Sequence, residues 1–335
     1  MMKHVLATAL AFALGATAAG AATLDSIKQR GELICGANGS LAGFGIPNDK
    51  GECSGFDVDY CRAVAAAIFN DVKKVKFVPL SAKDRFTALQ SGEVDVLIRN
   101  TTWTLSRDTQ GMNFPAINYI DGQGFLVKKA LGVKSALELS GASVCTQQGT
   151  TTELNLADFF RANNLPYQVV TFATSDETRQ AYDAGRCDAF TTDASGLYAE
   201  RLRLNTPDDH MVLPEIISKE PLGPAVRHGD DQWHDIIGWV HFALLNAEEF
   251  GVTQANVDEM LKSDKPDVKR LLGTEGDFGK QLGLDNNWAY NIIKNVGNYS
   301  EVFERNVGAG SPLKIERGVN ALWSKKGLQY APPIR

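Results

Sequence analysis

SAKDRFTALQSGEVDVLI, residues 81 to 98, is a pattern that this chain carries twice. Ser81-Ala82-Lys83-Asp84 has the character of a capping box, and the segment to Ser91 reads as a helix. Gly92 supplies its stop, and Val94 to Ile98 reads as a buried strand. TSDETRQAYDAGRCDAF, residues 174 to 190, repeats the order: Thr174-Ser175-Asp176-Glu177 opens a helix, Gly185 closes it, and Cys187 to Phe190 is the strand. The spacing from cap to glycine, 81 to 92 and 174 to 185, is the same.

Working outward, each copy is preceded by two more strand candidates. Leu33 to Ala37 and Val75 to Val78 precede the first, and Ser143 to Thr146 and Val169 to Phe172 precede the second. A helical segment separates each pair, Asp57 to Phe69 and Thr152 to Ala162. Strand, helix, strand, helix, strand is the order of a mostly parallel sheet with right-handed crossovers, so two copies predict two α/β lobes flanked by helices. Gly39 and Gly149 each fall four residues after a strand cysteine, Cys35 and Cys145, which strengthens the match.

The remainder fits a plan in which one lobe is inserted into the other. Asp121-Gly122-Gln123-Gly124 and Glu220-Pro221-Leu222-Gly223-Pro224 flank the second copy with turn-forming residues and are read as two hinge connections. Lobe 1 is therefore expected over 22–121 plus 225–335, and lobe 2 over 122–224. Trp233, Ile237, Val240 and Leu244 recur at helical spacing and are expected to pack on the first lobe.

Lys3, the apolar run Val5 to Leu14 and the small residues ending Ala19-Gly20-Ala21 read as a signal peptide over residues 1–21. The run falls short of the roughly 20 apolar residues that a membrane helix needs, and no later stretch reaches that length. A released, soluble periplasmic chain is expected. With 335 residues, about two domains are expected. The net charge of −6 and scattered Lys and Arg argue against nucleic-acid binding. Cys35, Cys53, Cys61, Cys145 and Cys187 lie outside any C-x-x-C spacing and no His pattern accompanies them, so no metal site is expected. In an exported chain, up to two disulfides with one Cys left over is the natural reading, with five buried thiols as the alternative.

Ligands of open parallel sheets sit outside the carboxyl ends of the strands. The repeat identifies those ends, because the same step from Gly92 and from Gly185 reaches Asn100 and Asp193. Around Asn100 runs Arg99 to Arg107, which sets hydroxyls and a guanidinium just past a buried strand, as a carboxylate requires. Opposite, Gln148-Gly149-Thr150-Thr151-Thr152-Glu153 joins a strand to a helix, whose first amides and Thr hydroxyls attract an anion. Asp193 would meet an ammonium. Each residue has a duller reading: Arg107 could pair with Asp108, the threonines could only cap their helix, and Asp193 could be an N-cap.

Two stretches carry a resemblance to a known family, the amino-acid-binding proteins of ABC transporters (solute-binding protein family 3) with a two-lobed type II periplasmic-binding fold. Gly55-Phe56-Asp57-Val58-Asp59 is similar to that family's G-F-D-x-D segment and Thr102 to Arg107 resembles its T-x-T-x-x-R segment. Arg85 to Asp95, Arg99 to Thr104, Ser218 to Pro224, and the tail from Phe303 through Arg305-Asn306 to Pro332-Pro333 resemble the general L-amino acid-binding subgroup. The resemblance implies that Arg107, Thr102 and Thr151 hold an α-carboxylate, and that Asp193 and the strand end near Asn100 hold the α-ammonium. Thr150 and Thr152 flank the same anion site. Asn38 stands where many relatives carry an acid, and Leu41 or Ala82 takes the place of an aromatic lid, which suits broad selectivity. The resemblance also implies Cys145–Cys187 and Cys35–Cys61 disulfides with Cys53 free, Cys53–Cys61 being the competing pair. Its further implications are a free L-amino acid ligand, an inner-membrane ABC permease complex as partner, a monomeric state, and no cofactor.

Two other readings compete with this one. A dehydratase acting on a cyclic carboxylate needs a positioned acid or base, and neither Ser195 nor any Cys has a neighbouring His in the sequence. Gly273 to Lys280 lacks P-loop spacing. A ligand-sensing receptor would require a membrane helix.

Overall fold

The computed structural model describes residues 22 to 335, so the leader expected over residues 1–21 lies outside the described residues. In the first lobe, strand β1 (Leu33–Ala37), helix α1 (Phe56–Phe69), strand β2 (Val75–Pro79), helix α2 (Arg85–Gln90) and strand β3 (Val96–Leu97) follow in order. The sheet runs β2-β1-β3, all parallel, with Cys35 opposite Phe77 and Val96. Helix α1 carries Ala63, Val64, Ala65, Ala66 and Ala67, all buried, and small side chains let a helix approach its neighbours closely. It ends on Asn70 in the left-handed region (φ 53°), a conformation that Asn tolerates better than most residues.

Strand β4 (Tyr119–Asp121) leads out of this lobe. The second lobe contains β5 (Gln123–Lys128), β6 (Ser143–Gln147), α3 (Thr151–Ala162), β7 (Gln168–Phe172), α4 (Ser175–Asp183), β8 (Ala189–Asp193), α5 (Ala194–Arg201) and β9 (His210–Val212). Its sheet runs β7-β6-β8-β5-β9, with β7, β6 and β8 parallel and the last two strands antiparallel to their neighbours. Strand β10 (Glu220–Leu222) returns the chain, and α6 (Asp231–Phe250) packs on the first sheet. Trp233, Ile237, Val240 and Leu244 are buried there as expected, and the Trp233 indole donates to the Asp95 carbonyl at 2.9 Å. Helices α7 (Trp288–Val296) and α8 (Tyr299–Asn306) complete this core.

The two segments read as turns are extended instead. Strands β4 and β10 pair with each other antiparallel, Glu220 opposite Asp121 and Leu222 opposite Tyr119. Their glycines serve close approach rather than reversal. A Cβ on Gly223 would lie 2.1 Å from the Ala116 carbonyl oxygen, and one on Gly122 would lie 2.2 Å from Ile216. On the outer edge of β4 the Asn320 side chain accepts from the Ile120 amide at 2.7 Å and donates to the Ile120 carbonyl at 2.9 Å. On the outer edge of β10 the Trp103 amide donates to the Pro221 carbonyl at 2.8 Å, and the Gly223 amide donates to the Thr101 carbonyl at 3.0 Å.

Two disulfides are present, Cys35–Cys61 joining β1 to α1 and Cys145–Cys187 joining β6 to the approach to β8, and Cys53 is free. These are the pairs that the resemblance implies. No helix among the described residues is long and apolar enough to cross a membrane.

Candidate functional site

The carboxyl ends of β1, β3, β6 and β8 face one another across a cleft. Between them lies about 490 Å³ of atom-free space, partly open to solvent, lined from the first lobe by Asn38, Leu41, Arg85, Arg99, Asn100 and Thr102. Gln147, Thr150, Thr151, Thr152, Ser175, Thr192, Asp193 and Gly196 line it from the second. The structure thus gathers eight of the nine residues singled out from sequence as ligand-binding: Asn38, Leu41, Asn100, Thr102, Thr150, Thr151, Thr152 and Asp193. The ninth, Arg107, stands behind the wall, donating to the Thr102 carbonyl at 2.7 Å rather than pairing with Asp108. The alternative lid position, Ala82, is buried and does not line the cavity.

Asn100 is an unusual strand end. Its backbone has φ 32°, and the buried Asp57 carboxylate accepts its amide at 2.8 Å. Holding a non-glycine residue in that region requires surrounding contacts to fix it, and Asp57 is one. Burial pushes the Asp57 carboxyl up to about 7, against the opposing pull of the Asn100 amide and of Arg99. The Asn100 side chain accepts from Asn38 at 3.1 Å and faces Asp193 across the cleft.

Asp193 is 8% exposed and begins helix α5, yet its side chain makes no capping bond. Burial raises its pKa well above the carboxylate range, and the nearby charges of Asp121 and Glu220 push the same way. Arg85 and the Asn100 side chain act against that shift. No salt bridge to Asp193 forms among the described residues. A buried carboxylate in that position favours a cation that comes to it.

On the other wall Arg85 lines the cleft with its guanidinium 4.7 Å from the Phe86 ring centre, and Arg107, one layer back, lies 5.0 Å from the same ring. Arg85 is 3% exposed, its contacts to the Arg99 carbonyl and the Thr101 hydroxyl are long at 3.5 and 3.4 Å, and its Nε has no partner. Burial lowers its pKa, and the positive charges of Arg99 and Arg107 lower it further. An unpaired buried donor of this kind gains most from an incoming anion. Sequence reading missed Arg85 as a site residue. The signal was its place in the first turn of α2, where the helix dipole disfavours a cation.

Glu220, read from sequence only as part of a connection, sits at the junction of the lobes. Its carboxylate is buried and accepts from Thr102 at 2.6 Å, Thr151 at 3.0 Å, Asn155 at 2.7 Å and Ser218 at 2.7 Å. The Thr102 and Thr151 hydroxyl protons are thereby engaged, so these hydroxyls are not free donors for an anion here. On the second lobe the Thr151 and Thr152 amides at the start of α3 have no intrahelical acceptor and remain free donors. Thr150 does cap that helix, accepting from the Glu153 amide at 3.4 Å.

The model of the bacterial extracellular solute-binding proteins, family 3, matches residues 33–257. The chain belongs to this family. Among solute-binding proteins it is 63% identical to the general L-amino acid-binding periplasmic protein AapJ of Rhizobium johnstonii, over 98% of this chain and 97% of that one. It is 57% identical to the glutamate/glutamine/aspartate/asparagine-binding protein BztA of Rhodobacter capsulatus, over 96% of each chain. Among solved structures, a periplasmic binding protein from Brucella ovis with glutathione bound shares 65% identity. Its TM-score is 0.93, and the match covers 94% of this chain and all of that one (100%).

Proposed function

We propose that this solute-binding protein captures a free L-amino acid between its two lobes in the periplasm and delivers it, as a monomer, to an ABC-type importer in the inner membrane. The observation that carries the reading is one cleft with an unpaired buried carboxylate, Asp193, on one lobe and an unpaired buried guanidinium, Arg85, on the other. A zwitterion brings a cation to the first and an anion to the second. The α-ammonium is assigned to Asp193 and Asn100, and the α-carboxylate to Arg85 together with the free amides of α3, with Arg107 behind Thr102. The names of AapJ and BztA support this substrate class.

The lobes are assigned to residues 22–121 plus 225–335 and to 122–224, with β4 and β10 as the hinge. The ligand shifts an existing open–closed equilibrium only by its differential affinity for the closed form, which two-sided contact supplies. Dissociation constants in the micromolar to nanomolar range, roughly 8 to 12 kcal/mol, are reasonable for such a guest. We assign no catalytic step.

A second reading has its own support. The Brucella ovis structure holds glutathione, whose γ-glutamyl end carries the same α-ammonium and α-carboxylate. A thermal-shift screen of the refolded, dialysed protein against the twenty amino acids and glutathione separates the two, because a tight ligand raises the melting temperature by mass action. Shifts with several L-amino acids are expected. A screen in which only glutathione shifts the transition would replace the reading, and one with no shift at all would end it.

A further inference from the structure

We propose that Arg203 is a positioning residue for ligand retention, a latch that fastens the second lobe to the first through the Ser40 carbonyl and is aligned from the ligand site by helix α5. This rests on the solute-capture reading above. Arg203 follows α5 in the second lobe, and its guanidinium donates to the Ser40 carbonyl of the first lobe at 2.8 Å. Among the described residues, everything else that bonds to Arg203 belongs to its own lobe. Its guanidinium pairs with Asp176 at 2.8 Å and with the fully buried Glu200 at 3.7 Å, and Arg179 donates to its carbonyl at 3.1 Å. The donor is therefore set in place by the second lobe alone and meets its acceptor only when the lobes are together.

The acceptor is tied to the cleft. Ser40 lies between the two lining residues Asn38 and Leu41, and its amide donates to the Asn38 side chain at 3.1 Å. Asn38 in turn donates to Asn100, which faces Asp193. Asp193 and Arg203 flank the same eight-residue helix, a rod of about 12 Å. The second lobe thus reaches the first from both ends of one rigid element, and the two landing points are joined by Asn38. At the far end Glu200 also accepts from Ser175, which lines the cavity, at 2.6 Å. A guest that draws Asp193 into register places Arg203 over Ser40, and the charge-assisted bond made there opposes reopening without touching the guest.

Such a contact acts after capture, so it belongs in the dissociation rate. Stopped-flow binding of L-glutamate to the full chain, comparing wild type with Arg203→Gln and Arg203→Lys, tests it. Arg203→Gln should raise the dissociation rate roughly tenfold or more while the association rate stays within about twofold. Arg203→Lys should recover part of the loss. Small-angle scattering should show a larger radius of gyration for ligand-saturated Arg203→Gln than for wild type. Equal dissociation rates and equal radii would overturn the latch, as would a loss confined to the melting temperature. If wild type binds no amino acid, the functional reading fails instead. The latch is then judged on scattering of the unliganded proteins, where Arg203→Gln must still be the more open and an unchanged radius refutes it.

Discussion

The two copies of the opening pattern fold differently, and the difference separates scaffold from site. In the second lobe Thr174 and Glu177 form the full capping box, each side chain bonded to the other residue's backbone, and α4 runs nine residues. In the first lobe Ser81 accepts the Asp84 amide at 3.1 Å, but Asp84 turns its carboxylate onto the Ser81 hydroxyl at 2.5 Å instead of its amide. Aspartate is one methylene too short to reach back as glutamate does. Helix α2 consequently starts only at Arg85 and runs six residues. The looser turn is the one that delivers a cationic side chain to the cleft. The strand ends diverge likewise: Asn100 has a positive φ held by Asp57, whereas Asp193 sits in an ordinary conformation at a helix start.

The comparison can be broken most directly at those strand ends. Asp193→Ala should weaken L-glutamate binding by about 3 to 5 kcal/mol, because it strands the ligand's ammonium, while Asn100→Ala should cost no more than about 2 kcal/mol. Isothermal titration giving equal losses would erase the distinction drawn between the two ends. The disulfides offer a second contrast. Replacing Cys145 and Cys187 with Ala opens the larger loop, separation 42 against 26 for Cys35 and Cys61. Chain-entropy arguments give about 4 kcal/mol for the former and about 3.5 for the latter in urea unfolding. A costlier loss from the Cys35–Cys61 pair would point to packing in the first lobe rather than loop closure.

A third test uses pH. Burial raises Asp57 to about 7 and Asp121 to about 6 in the first lobe and hinge, and Glu200 to about 7 in the second lobe. A carboxyl whose folded pKa is raised contributes stability below its unfolded value, near pH 4, and loses it as pH climbs through the folded value. Melting temperature should therefore fall between about pH 4 and 7, and Asp57→Asn should flatten that slope. The smallest effect is at the caps. Thr174→Ala should cost about 1 kcal/mol and Ser81→Ala under about 0.5, since only the former closes a reciprocal pair. Comparable losses by chemical denaturation would put the two caps on the same footing.

What sequence conveyed followed physical strength of signal. Strands β1, β2, β6 and β7 were legible because each is a short apolar or β-branched run bounded by turn residues, and α4 because its cap is complete. Strand β5 was not. Gly122 and Gly124 made Asp121 to Gly124 read as a turn, although the strand that begins there carries Phe125, Leu126 and Val127, all buried, as an interior strand of the second sheet. Local chemistry cannot announce that a glycine is needed for close approach to a distant segment. At the site, the repeat carried Asn100 and Asp193 together because it encodes strand ends. Arg85 and Glu220 escaped it, since their importance comes from what lies across the cleft and not from their neighbours in the chain. Arg107 was found but stands one layer back, where it supports Thr102.

The ribbon that joins the lobes has a further property. A two-stranded ladder ordinarily leaves two rows of amides and carbonyls able to recruit a foreign chain. Here Asn320 saturates the Ile120 peptide on one flank, and the stretch Thr101 to Trp103 occupies the other. This ribbon, proposed above as the hinge, is thus covered on both flanks and offers little template for self-association.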